Sequence, residues 1–143
     1  MKTFTTTAAA LFLSCAFVSP VFAFGAVATA VPADVAQDGY SSGISYNFKT
    51  AREAEDRALQ ECQTTQDAPA ETKKLCRVIQ SFENQCVAVA LDPQAGTPGA
   101  GWALGDTLAL ARSNALQRCE DTAGNDRRGE CRITAEGCDG RAK

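Results

Sequence analysis

TAREAEDRALQEC, residues 50–62, and TLALARSNALQRC, residues 107–119, are one phrase written twice, 57 residues apart. Thr50 falls on Thr107, Ala54 on Ala111, Ala58 on Ala115, Leu59 on Leu116 and Cys62 on Cys119. The small and apolar positions recur with the spacing of one face of an α-helix. Thr50 is the expected N-cap, and Glu53 completes a capping box; Thr107 takes the same place with Leu110 where the Glu would stand. The spacing predicts two helices of about twelve residues, each ending on its cysteine. Their inner faces are mostly Ala, which lets a helix lie close against a sheet.

The repeat extends outward from the helices. GISYNF, residues 43–48, alternates apolar and polar as a half-buried strand does, and GWALG, residues 101–105, holds the matching place. GAVATAV, residues 25–31, matches CVAVAL, residues 86–91. Between these strands lie two segments rich in Gly, Pro, Asp and Ser, residues 32–42 and 92–100, which read as hairpin loops. After each helix a polar loop leads to CRVI, residues 76–79, or CRIT, residues 131–134, each a strand entered through a cysteine. The unit is therefore ββαβ, once over residues 24–82 and again over 83–138. Neither unit alone buries both faces of its sheet. The expected architecture is α+β: one disulfide-stabilised domain over residues 24–143, an antiparallel sheet with two helices on one side.

The first 23 residues have a different character. Lys2, an apolar stretch over residues 8–18 and a close on Val21-Phe22-Ala23 form a signal peptide pattern, with cleavage expected after Ala23. The apolar run is shorter than the ~20 residues of a membrane span, so no transmembrane segment is expected after cleavage. A lipoprotein signal acylated at Cys15 is the alternative. Cleavage leaves 120 residues with 13 basic and 17 acidic side chains. That acidic balance, with Arg127, Arg128 and Arg132 interleaved with Asp126 and Glu130, argues against nucleic acid as a partner.

Six cysteines follow the leader: Cys62, Cys76, Cys86, Cys119, Cys131 and Cys138. Six permit fifteen pairings. If the halves fold alike, Cys62–Cys76 and Cys119–Cys131 are equivalent local bridges, leaving Cys86 and Cys138 to join the halves or close the C-terminus. A metal site would want close C-x₂-C pairs or histidines, and the chain has no histidine. No C-x-x-C redox motif occurs either. No metal and no cofactor is expected.

Without histidine the commonest general base and its triads are gone. No G-x-S-x-G and no phosphate-binding glycine loop is present. Paired carboxylates stay chemically possible. Glu53, Glu55, Asp56 and Glu61, however, read as the solvent face of the first helix, and Leu110, Arg112, Ser113 and Arg118 replace them in the second. No catalytic residue is assigned. Tyr46, Asn47 and Trp102, at strand positions, are the binding candidates; Asn84 reads as a turn residue.

Taken in order, GxSYN at 43–47, AExxALxxC at 54–62, CRV at 76–78, FxNxCxA at 82–88, GW at 101–102, AxxxALxxC at 111–119 and CRI at 131–133 resemble the bacterial secreted family called domain of unknown function 4189. The resemblance covers residues 24–138. It implies an exported bacterial protein and supplies no activity or catalytic residues.

The expected function is that of an exported, disulfide-stapled binding module without catalysis, in the periplasm or outside the cell. An unidentified protein is its expected partner, with inhibitor or immunity-type action. A cell-wall or glycan hydrolase using paired carboxylates is one alternative, and a structural envelope protein is another.

Overall fold

The computed structural model describes residues 23–66 and 68–143. The first half runs β1 (Phe24–Ala30), a short α1 (Val35–Asp38), β2 (Ser41–Phe48), α2 (Ala51–Thr64), a short α3 (Ala70–Lys73) and β3 (Arg77–Glu83). The second runs β4 (Cys86–Leu91), β5 (Ala100–Gly105), α4 (Leu108–Ala123), a 3-10 turn (Asn125–Arg127) and β6 (Arg132–Cys138). These are two ββαβ halves of an α+β fold. The signal-peptide and Cys15 readings fall on residues outside the described ones, except Ala23, which is buried at the head of β1.

Both long helices start where the repeat places them. The Thr50 hydroxyl accepts the Glu53 N–H and the Thr107 hydroxyl accepts the Leu110 N–H, each at 3.2 Å. Both continue past their cysteines, to Thr64 and Ala123, where the expectation had them stop. The polar residues beyond Cys62 and Cys119 do not break a helix; α4 ends only at Gly124, whose φ of 91° suits glycine.

The strands correct the expectation of a single sheet. They divide into two three-stranded antiparallel sheets, β2-β1-β3 and β5-β4-β6. In β1, Ala26, Ala28 and Ala30 face one way, onto Ala54, Ala58 and Cys62 of α2. In β4, Cys86, Ala88 and Ala90 likewise meet Ala111, Ala115 and Cys119 of α4. The alternate residues Val27 and Val87 pack together with Phe82, and Ile44, Trp102 and Leu104 close around them. The layers are therefore helix, sheet, sheet, helix, and the helices lie on opposite outer faces, not together on one side. The cause is that β1 and β4 are apolar on both faces: small Ala admits a helix, larger Val fills the space between sheets.

Two local devices recur in both halves. Gly43 in β2 and Gly101 in β5 let the helix backbone approach: a Cβ on Gly43 would strike the Ala58 carbonyl, and one on Gly101 would lie 2.7 Å from the Ala115 carbonyl and 2.5 Å from the Cys119 nitrogen. The pairing register of β3 on β1 skips Ile79, and that of β6 on β4 skips Thr134. Such bulges kink an edge strand and discourage further pairing.

Three disulfides fasten the frame: Cys62–Cys76, Cys119–Cys131 and Cys86–Cys138. The first two tie a helix to the strand that follows it. The third joins directly opposed residues of β4 and β6 and lies within the second half. No helix among the described residues is long and apolar enough to cross a membrane.

Candidate ligand-binding cleft

At one end of the layers the two hairpin loops come together over α4. Val31, Val35 and Tyr40 from the first loop face Pro98, Trp102 and the last turns of α4 across a cleft of about 420 Å³. Its walls are mostly apolar, and apart from the Tyr40 phenol its polar side chains are Arg118, Asp121 and Thr122. An apolar concavity with a few placed polar groups is the usual form of a ligand site.

Both loops are held in place. In the second, Arg127 grips Asp92 with two hydrogen bonds of 2.8 and 2.7 Å, and Asp92 also accepts the Gln94 N–H at 2.9 Å. The Asp92 side chain is fully enclosed. The Arg127 guanidinium holds its carboxyl at about 2, against an ordinary 3.8. In the first loop, Asp34 caps α1 through the Gln37 N–H at 3.1 Å, and the Thr72 hydroxyl donates to the Asp38 carbonyl at 2.5 Å. Tyr40 hydrogen bonds with buried Thr29, and burial pushes its phenol far above the usual range.

Trp102 and Arg118 line the cleft side by side. The guanidinium lies over the indole, 5.7 Å from the ring centroid, and its Nη1 donates to the Trp102 carbonyl at 2.9 Å. This stacking is possible because Gly101 draws α4 against β5. The Thr122 hydroxyl accepts the Ala100 N–H at 3.0 Å, tying the same helix to the start of β5. Neither Arg118 nor Asp121 forms an ion pair among the described residues.

The three binding candidates do not converge. Trp102 is in the cleft, whereas Tyr46 and Asn47 lie at the far end of β2. The Tyr46 ring covers Gly137 of β6, although 41% of the residue is exposed. Asn47 has a φ of 63° and bonds with the C-terminal segment: its N–H donates to Asp139 at 2.7 Å, and its Oδ1 accepts the Gly140 N–H at 3.0 Å. Asn84, also at positive φ, donates its N–H to the other Asp139 oxygen at 3.2 Å.

Sequence reading missed Tyr40, Arg118 and Asp121. A signal for Arg118 was present: the repeat puts Trp102 where the first half has Ile44, and Arg118 where it has Glu61. The aromatic and its cation replace those residues together, in one half only. The acidic residues of α2 are engaged elsewhere. Glu61 pairs with Arg57, Glu55 accepts the Ser81 hydroxyl at 2.5 Å, and Glu53 and Asp56 line a shallow groove with Lys49 and Arg57. No group of three or more potential metal ligands stands together among the described residues.

A family model described as Domain of unknown function (DUF4189) matches residues 24–138. The chain is also similar to a solved structure, the NMR structure of Rv1813c from Mycobacterium tuberculosis, at 21% identity over 94% of this chain and 98% of that one, with a TM-score of 0.46. No curated protein matches the chain.

Proposed function

For a chain that belongs to the family of domain of unknown function 4189, we propose the role of an exported binding module that acts without catalysis, holding its partner in the cleft between its hairpin loops. The observation that carries this reading is the Trp102–Arg118 stack within a mostly apolar cleft whose two walls are pinned by internal hydrogen bonds. Walls fixed in advance lose little freedom on binding, and Trp and Arg are the residues that most often dominate an interface. A two-carboxylate hydrolase fits the cleft less well, because Asp121 supplies the one carboxylate among the described residues that line it. The three disulfides favour an oxidising compartment, the periplasm or the exterior, and suit an inhibitor or immunity-type protein that must survive there.

Photo-crosslinking in the native host tests the reading. A photoreactive residue at Val35, on the cleft rim, is expected to trap one stoichiometric partner, and Trp102→Ala is expected to abolish the crosslink. A Val35 crosslinker that traps nothing above a control placed at exposed Leu75 overturns it.

A further inference from the structure

The chemistry of the cleft narrows what it takes, on the premise that it is a binding site. Its walls are Val31, Val35, Tyr40 and Pro98, so the buried part of the ligand is apolar. On the α4 side of the cleft a donor and an acceptor stand three residues apart, Arg118 and Asp121. Arg118 is fixed by the indole and by the Trp102 carbonyl, which engages Nη1 and leaves its other N–H groups for a ligand. Asp121 offers a carboxylate with no cationic partner among the described residues.

Most ligand classes satisfy only part of this. A sugar carries hydroxyls around its ring and would leave several against Val35 and Pro98 without partners, which is costly. A fatty acid suits the walls and Arg118 but sets its carboxylate beside Asp121. A phosphate compound meets the same repulsion. A peptide main chain, by contrast, presents a carbonyl acceptor and an N–H donor on the two sides of each side chain. We infer that the cleft seats an extended segment of another polypeptide, an aliphatic or prolyl side chain between Tyr40 and Pro98, its flanking carbonyl accepting from Arg118 and the following N–H donating to Asp121.

The test uses the full chain, whose one tryptophan is Trp102 and so reports on the cleft directly. The probes are blocked peptides acetyl-Ala-X-Ala-Ala-amide, with X as Leu, Pro, Lys or Asp, titrated against Trp102 emission. Saturable binding is expected for Leu and Pro and not for Lys or Asp. N-methylation of the amide after X is expected to weaken binding about tenfold, and to make no difference in Asp121→Ala, which lacks the acceptor. Arg118→Ala is expected to weaken the Leu peptide by a similar factor.

Leu and Lys peptides that bind alike, or an N-methyl effect that persists in Asp121→Ala, overturn the inference. So does a chito-oligosaccharide that saturates the Trp102 signal while every peptide fails, though the binding reading then stands. If peptides, oligosaccharides and the Val35 crosslink all fail, both readings fall.

Discussion

The Asp139 carboxylate accepts the Asn47 N–H at 2.7 Å, across 92 residues of sequence. Its second oxygen accepts the Asn84 N–H at 3.2 Å, across 55. One carboxylate with no exposed surface thus secures both the end of β2 and the link from β3 to β4. Both donors are asparagines in the left-handed region, with φ of 63° and 50°, and their amides turn toward the same point.

Replacing Asp139 is therefore expected to weaken the joint between the halves. Asp139→Ala leaves two N–H groups without their charged acceptor and is expected to cost about 3 kcal/mol, since hydrogen bonds to charged groups contribute more than neutral ones. Asp139→Asn keeps one acceptor oxygen and is expected to cost roughly half as much. Urea unfolding measures both, as a shift of midpoint with little change in slope. Equal losses in the two variants would mean that the acceptor geometry is not the source.

Asp92 gives the fold a defined acid limit. Its carboxyl is held at about 2 when folded, below its ordinary 3.8, so the folded state favours the ionised form. The stability this supplies is complete above about pH 4 and is lost as pH falls toward 2. The melting temperatures of the wild type and Asp92→Asn are expected to differ by a constant amount at pH 5 to 7 and to converge between pH 4 and 2. Glu136, lowered in the same direction by Arg112, titrates in both proteins, so the comparison isolates Asp92. A gap that is undiminished at pH 2 would exclude the Asp92 charge as its cause.

Gly43 and Gly101 make a matched pair of tests for the repeat. Either glycine changed to Ala places a methyl against rigid helix backbone, Ala58 and Cys62 in one half, Ala115 and Cys119 in the other. Each substitution is expected to cost about 2 to 3 kcal/mol through overpacking, and the two costs are expected to agree closely. Thermal or urea unfolding reads them. A tolerated Gly101→Ala beside a damaging Gly43→Ala would show that the halves pack differently.

What the sequence made legible was whatever the repeat wrote twice: helix starts, the strands around them, and the spacing of cysteines. The arrangement of sheets was hidden because alternation in β1 and β4 is between small and larger apolar residues. That pattern reads as one buried strand whether its second face meets a helix or another sheet. Asp139 was invisible for another reason. It follows the last cysteine in a polar tail, and its partners lie 55 and 92 residues upstream. Tyr46 and Asn47 looked like a free strand end because Gly137 and Asp139, which they meet, are equally remote. The cleft itself is built where the halves differ. A repeat argument emphasises what is shared, so it caught Trp102 as an oddity and left Arg118 as a lost carboxylate.

The disulfides differ in what their removal should do. Cys62–Cys76 and Cys119–Cys131 close loops of 14 and 12 residues, and Cys86–Cys138 closes one of 52. In the chain-entropy account the short loops are worth about 3 kcal/mol each and the long one about 4. The long bridge joins opposed residues of β4 and β6, so without it β6 depends on its ladder to β4 and on the Asp139 contacts that follow it. Paired Cys→Ala variants, compared by thermal unfolding, are expected to rank Cys86/Cys138 as the most damaging loss and the other two as nearly equal. Combining Cys86/Cys138→Ala with Asp139→Ala is expected to cost less than the two losses added, because both secure the same C-terminal segment. Simple additivity in that triple variant would show that bridge and carboxylate act on separate parts of the fold.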